Sequence, residues 1–128
     1  NKEIKKATLR ACFVIVHHSG VSDTFRLIDS LSSQASECVE FEVVVVNNSD
    51  EESNDGPLLD RLFRSSPLRI RHILTENNGY FAAANTGIKT LVPGKDVYVI
   101  VCKNDIWFDS NFIDNLGRVD VPSRARIL

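Results

Sequence analysis

The sequence predicts an α/β fold, a mostly parallel sheet with helices on both faces, and three observations carry the prediction. Apolar runs of strand length alternate with segments whose apolar residues recur at helical spacing. Residues 11–16, 43–46 and 97–102 are nearly continuous in apolar side chains, the pattern of strands covered on both faces rather than one. A polar cluster follows each strand at once, which in a parallel sheet gathers the clusters on the edge where open α/β folds bind ligands.

Each element has its own justification. Ala11-Cys12-Phe13-Val14-Ile15-Val16 reads as the first, central strand. Ser22 is an N-cap for a helix through about Gln34, with Phe25, Ile28 and Leu31 on its inner face. Residues 41–46 form the next strand, ended by Asn47-Asn48-Ser49-Asp50, whose side chains favour turns. Pro57 suits the first turn of a second helix capped by Asp55 or Asn54, with Leu59, Leu62 and Phe63 as its stripe and Ser65-Ser66-Pro67 as its stop. An alternating third strand spans 68–74. A helix then runs from Gly79 to about Val92 with Phe81, Ala84, Ile88 and Leu91 inward, stopped by Pro93-Gly94. Residues 97–102 are the fourth strand, and Asp109 or Ser110 caps a short helix carrying Phe112, Ile113 and Leu116. The tail offers a possible strand at 125–128. Strands alternating with helices imply βαβ units.

Composition narrows the function classes. A chain of 128 residues with 43% hydrophobic and 25% charged side chains suits one globular domain with a real core. The formal charge of -2 is spread over both signs, so neither a nucleic-acid footprint nor a polybasic anchor is indicated. Arg61, Arg64, Arg69, Arg71 and His72 read as a solvated helix face and strand edge, with an acidic-ligand rim as the alternative. Cys12, Cys38 and Cys102 are odd in number and far apart, which points to a reducing compartment and gives no zinc-ligand spacing. No apolar stretch approaches the ~20 residues of a membrane span, and Asn1-Lys2-Glu3-Ile4-Lys5-Lys6 lacks a signal peptide's apolar region. The lack of methionine, even at position 1, reads as a chain trimmed from a longer product.

The chemistry-bearing clusters are His17-His18-Ser19, Asn47-Asn48-Ser49-Asp50, Asn77-Asn78-Gly79 and Lys103-Asn104-Asp105. Singly each has a structural reading: Asn78-Gly79 is a common turn pair, Asp105 a turn cap, Asn47 to Asp50 a strand exit. Adjacent His17 and His18 leave a strand on opposite sides, so at most one of them lines a shared pocket. No nucleophilic triad, GxGxxG or GxxxxGK[ST] loop is present.

Taken in order, these segments resemble the family 2 glycosyltransferases of the GT-A fold, particularly rhamnosyltransferase-like members that build bacterial surface polysaccharides. The match runs from about Ala11 to Leu116. His17-His18-Ser19 takes the place of the family's first loop beside the nucleotide base. Val46-Asn47-Asn48-Ser49-Asp50 matches its Val-Asp-Asn-x-Ser element, with Asn48 at the base-contacting position and Asn47 in place of the acid. Asn77-Asn78-Gly79-Tyr80-Phe81-Ala82-Ala83-Ala84-Asn85-Thr86-Gly87 matches Asn-x-Gly-Phe-Ala-x-x-x-Asn-x-Gly, displaced by one residue at Tyr80-Phe81. Lys103-Asn104-Asp105 falls on the metal motif, with Lys103 where an acid or amide is expected.

The resemblance implies the Rossmann-like, nucleotide-binding half of a GT-A fold. It assigns nucleotide-sugar contacts to His17, His18, Asn47, Asn48, Asp50, Asn78, Gly79, Asn85, Lys103 and Asn104. It assigns a divalent cation, Mg2+ or Mn2+, to Asp105, with the Lys103 ammonium either neutralising part of the diphosphate charge or pairing with Asp105. The implied donor is a UDP- or dTDP-sugar, the acceptor a saccharide or lipid-linked hydroxyl, and the setting cytoplasmic, with or without attachment to the inner face of the membrane. Transfer would invert the anomeric carbon. The family's general base lies in an acceptor half beyond the metal motif, and little chain follows Asp105, so residues 1–128 are expected to be a truncated donor-binding domain. A nucleotide-binding module without turnover is the alternative reading. A nucleotidyltransferase would need a Gly-rich basic loop after strand one, and a receiver-like domain would need paired acids there. Neither is present.

Overall fold

The computed structural model describes residues 9–34, 39–50, 52–92 and 97–116. Cys38, the Pro93-Gly94 stop and the strand expected at 125–128 lie outside them. Four strands, β1 (Leu9–His17), β2 (Val39–Asn47), β3 (Ile70–Leu74) and β4 (Val97–Lys103), form a single all-parallel sheet in the order β3-β2-β1-β4. Their ends are level: His17 stands opposite Asn47, Val16 opposite Lys103, and Asn47 opposite Leu74. The clusters that follow the strands therefore do share one edge.

The alternating faces of β1 and β2 explain the two layers. Phe13, Ile15, Val43 and Val45 point to one side, where α1 (Val21–Ser32), α2 (Asp55–Arg64) and α4 (Phe112–Leu116) supply Leu27, Leu31, Leu59, Phe63 and Ile113. The Phe13 ring centres that layer, with Phe41 and Phe108 at 5.8 and 5.3 Å in edge-on contact. Val14, Val16, Val44 and Val46 point to the other side, which α3 (Tyr80–Lys89) covers with Ala83 and Ala84. The fold is thus the α/β arrangement expected, with helices on both faces.

Several boundaries and faces differ from expectation. α1 starts at Val21, not after Ser22: Gly20, at φ 86, is its N-cap, and the Gly20 carbonyl accepts from the Asp23 and Thr24 amides. α1 also ends before Gln34, whose side chain instead reaches the α4 segment, donating to the Asp109 carbonyl and accepting from the Ile113 amide. Its buried face is Thr24, Leu27, Ile28 and Leu31, which leaves Phe25 54% exposed. Phe81 is likewise turned out, 79% exposed, because Ala83, Ala84 and Gly87 take the sheet side of α3. β3 begins at Ile70, since Leu68 is held in a turn by its amide's bond to Ser66 Oγ and packs without pairing. α3 closes at Lys89, where the Thr90 hydroxyl and amide both turn back to the Gly87 carbonyl. Asn54 is the N-cap of α2 but makes no side-chain cap bond, and Asp55 lies inside the first turn.

Gly87 sets how deeply α3 sits. A Cβ there would lie 2.6 Å from Val14 Cγ1 and 2.9 Å from Val46 Cγ2, both on fully buried β-branched residues of central strands. Such neighbours have little freedom to move. Gly87→Ala is expected to cost about 1–3 kcal/mol, read as a lower urea midpoint at unchanged slope. An unshifted midpoint would show that α3 has room to retreat.

Candidate functional site

The chain runs from β1 to β2 on one side and returns to β4 on the other, so the sheet reverses direction between β1 and β4. Ligands in open α/β folds bind beyond the strand ends at such a point. A pocket of about 320 Å³ opens there. Strand ends supply Val16, His18, Asn48, Lys103 and Asn104, and the start of α3 supplies Asn77, Gly79 and Tyr80.

The physical character of this pocket follows from its parts. Gly79 caps α3 at φ 102, a conformation that L side chains rarely adopt, and no side chain caps the helix. The first turn of α3 holds no acidic residue, so its free amides present an uncompensated positive end. Asn48 is 2% exposed, and its Oδ1 is buried without a hydrogen-bond partner among the described residues. His18 is fixed by Nδ1, 3.1 Å from the Asn48 carbonyl. Burial is the main influence raising the Tyr80 phenol above its ordinary 10.0, with a smaller contribution from Cys102, so it stays a neutral donor at neutral pH.

Behind the pocket lies a buried polar chain. Asn104 Nδ2 donates to the Ser19 carbonyl at 2.7 Å and to Thr24 Oγ1 at 2.9 Å. Thr24 Oγ1 is 2.6 Å from His17 Nδ1, and His17 Nε2 is 2.7 Å from Asp55 Oδ2. The partners assign the roles: the hydroxyl donates to Nδ1, and Nε2–H donates to the carboxylate. His17 and Thr24 have no exposed surface. The resemblance assigned both His17 and His18 to the ligand, whereas their alternation along the strand allowed at most one of them to line the pocket. The structure places His17 in this network instead, with both ring nitrogens occupied and no access to the pocket.

The other expected residues divide as well. Asn47 is buried, and its Oδ1 accepts from the Ser49 amide at 3.0 Å and hydroxyl at 2.5 Å, a local turn rather than an open contact. Asp50 is exposed, accepts from Asn77 Nδ2 at 2.8 Å, and lines a neighbouring hollow of about 580 Å³ with Glu52 and Glu76. Asn77 borders both concavities. Asn78 and Asn85 are exposed and line neither. Asn77, Tyr80 and Val16 were not among the contacts the resemblance assigned, although Asn77 belongs to a chemistry-bearing cluster and, with Tyr80, to the most specific motif. A larger hollow, about 730 Å³, sits at the opposite end of the strands around Arg10, Glu40 and Phe41. It lies away from the strand C-termini, so size alone does not make it the site.

The divalent cation implied for Asp105 meets a poor donor set. Asp105 is exposed in the turn after β4 and is not among the pocket's lining residues. The described residues contain no group of three or more His, Cys, Asp or Glu side chains arranged around a common point. Lys103 lines the pocket where an acid would be needed. The residues present do not fit a cation held by the protein.

The described thiols carry no chemistry here. Burial pushes Cys102 up to about 12, and burial, then the bond to Glu42 Oε2, pushes Cys12 up to about 11. Both remain protonated and unreactive at neutral pH.

The model of the family described as Glycosyl transferase family 2 matches residues 12–117, a span holding every pocket residue named above. No curated protein sequence gives a significant match. No helix among the described residues is long and apolar enough to cross a membrane.

The buried chain generates a stability prediction. Asp55→Ala strands the His17 Nε2–H in a site with no exposed surface, and an unsatisfied buried donor costs about 1–3 kcal/mol. Urea unfolding should show that loss, while Asp60→Ala, which removes an exposed partner of His72, should change stability by under about 1 kcal/mol.

Proposed function

Because the chain belongs to glycosyl transferase family 2, we propose that the pocket between β1, β4 and the start of α3 holds the nucleotide diphosphate of an activated sugar. The observation that carries this reading is convergence on one small pocket at the sheet's reversal point. The orphaned, buried Asn48 Oδ1 calls for a ligand N–H or O–H, and the uncapped α3 amides call for an anion. A nucleoside diphosphate meets both demands, its base supplying an N–H donor and its phosphates the charge. The adjoining hollow of Asp50, Glu52 and Glu76 suits hydroxyl donors such as those of ribose or the sugar.

Members of this family use a nucleotide-sugar donor and an acceptor. For this chain we read a UDP- or dTDP-sugar as donor and a saccharide or lipid-linked hydroxyl as acceptor, in rhamnosyltransferase-like assembly of bacterial surface polysaccharide at the inner face of the membrane. Transfer proceeds with inversion. A general base takes the acceptor proton, the acceptor oxygen forms its bond to the anomeric carbon from the opposite face, and the bond to the diphosphate oxygen breaks. Residues 1–128 serve as the donor-binding half.

One observation favours a second reading, a binding module without turnover: among the described residues no carboxylate lines the 320 Å³ pocket. The two readings separate in a single assay. Release of UDP or dTDP from the corresponding sugar in the presence of saccharide acceptors supports transfer, and binding without release supports the module.

The site reading predicts that calorimetry detects UDP or dTDP binding and that Asn48→Ala weakens it by about 5- to 10-fold, the loss of one hydrogen bond. An unchanged affinity in the variant would remove Asn48 from the site.

A further inference from the structure

Among the described residues, the lining of the 320 Å³ pocket contains no aspartate or glutamate, and Lys103 is the one side chain there with a fixed charge. Lys103 is the last residue of β4, opposite Val16 of β1, and is exposed. It makes no ion pair or hydrogen bond with another described residue, so it does not pair with Asp105, two residues on. The start of α3, a ten-residue helix, is uncapped and acid-free and shares the same lining through Gly79 and Tyr80. Asn48, nine-tenths and more buried, belongs to the same lining, and its Oδ1 has no hydrogen-bond partner among the described residues, an independent sign of a ligand position.

We propose that Lys103 is the cation of this site: its ammonium, together with the α3 amides that border the same pocket, neutralises the diphosphate, so the chain binds a nucleoside diphosphate without a divalent metal. This rests on the pocket being the nucleotide site and adds what balances the ligand's charge. A divalent cation needs oxygen ligands from the protein as well as from phosphate, usually one or two carboxylates. This lining offers none and places a positive charge beside the phosphates instead, which repels a second cation. Charge-assisted bonds from an ammonium and from helix-terminal amides are an alternative means of holding phosphate.

The test is calorimetric titration of the full chain with UDP and with dTDP, in EDTA and then in Mn2+, for the unaltered protein and for Lys103→Gln, Lys103→Arg and Lys103→Asp. Thermal unfolding checks that each variant folds, as expected at an exposed strand end. The proposal predicts binding in EDTA that Mn2+ changes by less than about twofold, that falls with salt, and that Lys103→Gln weakens by roughly 10- to 100-fold, the loss of a charge-assisted bond. Lys103→Arg should retain most of the affinity, and Lys103→Asp should bind only with Mn2+. Binding by the unaltered protein that requires Mn2+, or equal affinity in Lys103→Gln, overturns the role of Lys103 and leaves the nucleotide site standing. No binding of either nucleotide in either condition overturns the site itself and this proposal with it.

Discussion

The level edge of the sheet depends on a run of buried hydrogen bonds, Asn104 to Thr24 to His17 to Asp55, that joins β4, α1, β1 and α2. Each group would cost about 1–3 kcal/mol if left unpaired in the interior. The directions of donation match along the run, so it is favourable only when all the elements meet in one arrangement. Asn104 also grips the carbonyl of Ser19 in the β1–α1 loop. The loop before α1 and the turn after β4 are therefore held by the same side chain. The pocket in front of this network is preformed: Asn104 belongs to both, and His17, Thr24 and Asp55 hold it in place without lining the pocket themselves.

The α3 side of the pocket is set by packing rather than polarity. Ala83, Ala84 and Gly87 bring α3 down onto Val14 and Val46, closer than any larger residue would permit. That depth fixes where the first amides of α3 emerge, next to Asn48 and Lys103. Bulky side chains fill the other face, where Phe13, Phe108 and Phe112 meet. The small residues of α3 explain how its start comes to line the pocket at the sheet's edge.

Much of this was legible from the sequence because strand runs and their polar successors are local signals. The order of strands and helices, the shared edge, and the special backbone at Gly79 all follow from short stretches. Directions of individual side chains do not. His17 and His18 are neighbours, and only the tertiary position of Asp55 and Thr24 shows that His17 turns inward. Thr24 does share the i, i+3, i+4, i+7 stripe with Leu27, Ile28 and Leu31, a signal a search for apolar residues alone passes over. Phe25 and Phe81 were expected inside because hydrophobicity was weighted above position. The sheet selects Ala and Gly on α3 by distance of approach, and that distance is invisible in composition. The gap between Lys103 and Asp105 is likewise three-dimensional: both belong to one motif, but only Lys103 borders the pocket.

The central claim is that the nucleotide binds at the reversal point between β1 and β4, against the start of α3. Backbone amide chemical shifts of the 15N-labelled chain, followed as UDP or dTDP is added, test it most directly. The account predicts shifts concentrated at His18, Asn48, Asn77, Gly79, Tyr80 and Lys103. Shifts centred on Arg10, Glu40 and Phe41 at the other end of the strands, or none at saturating nucleotide, would contradict it.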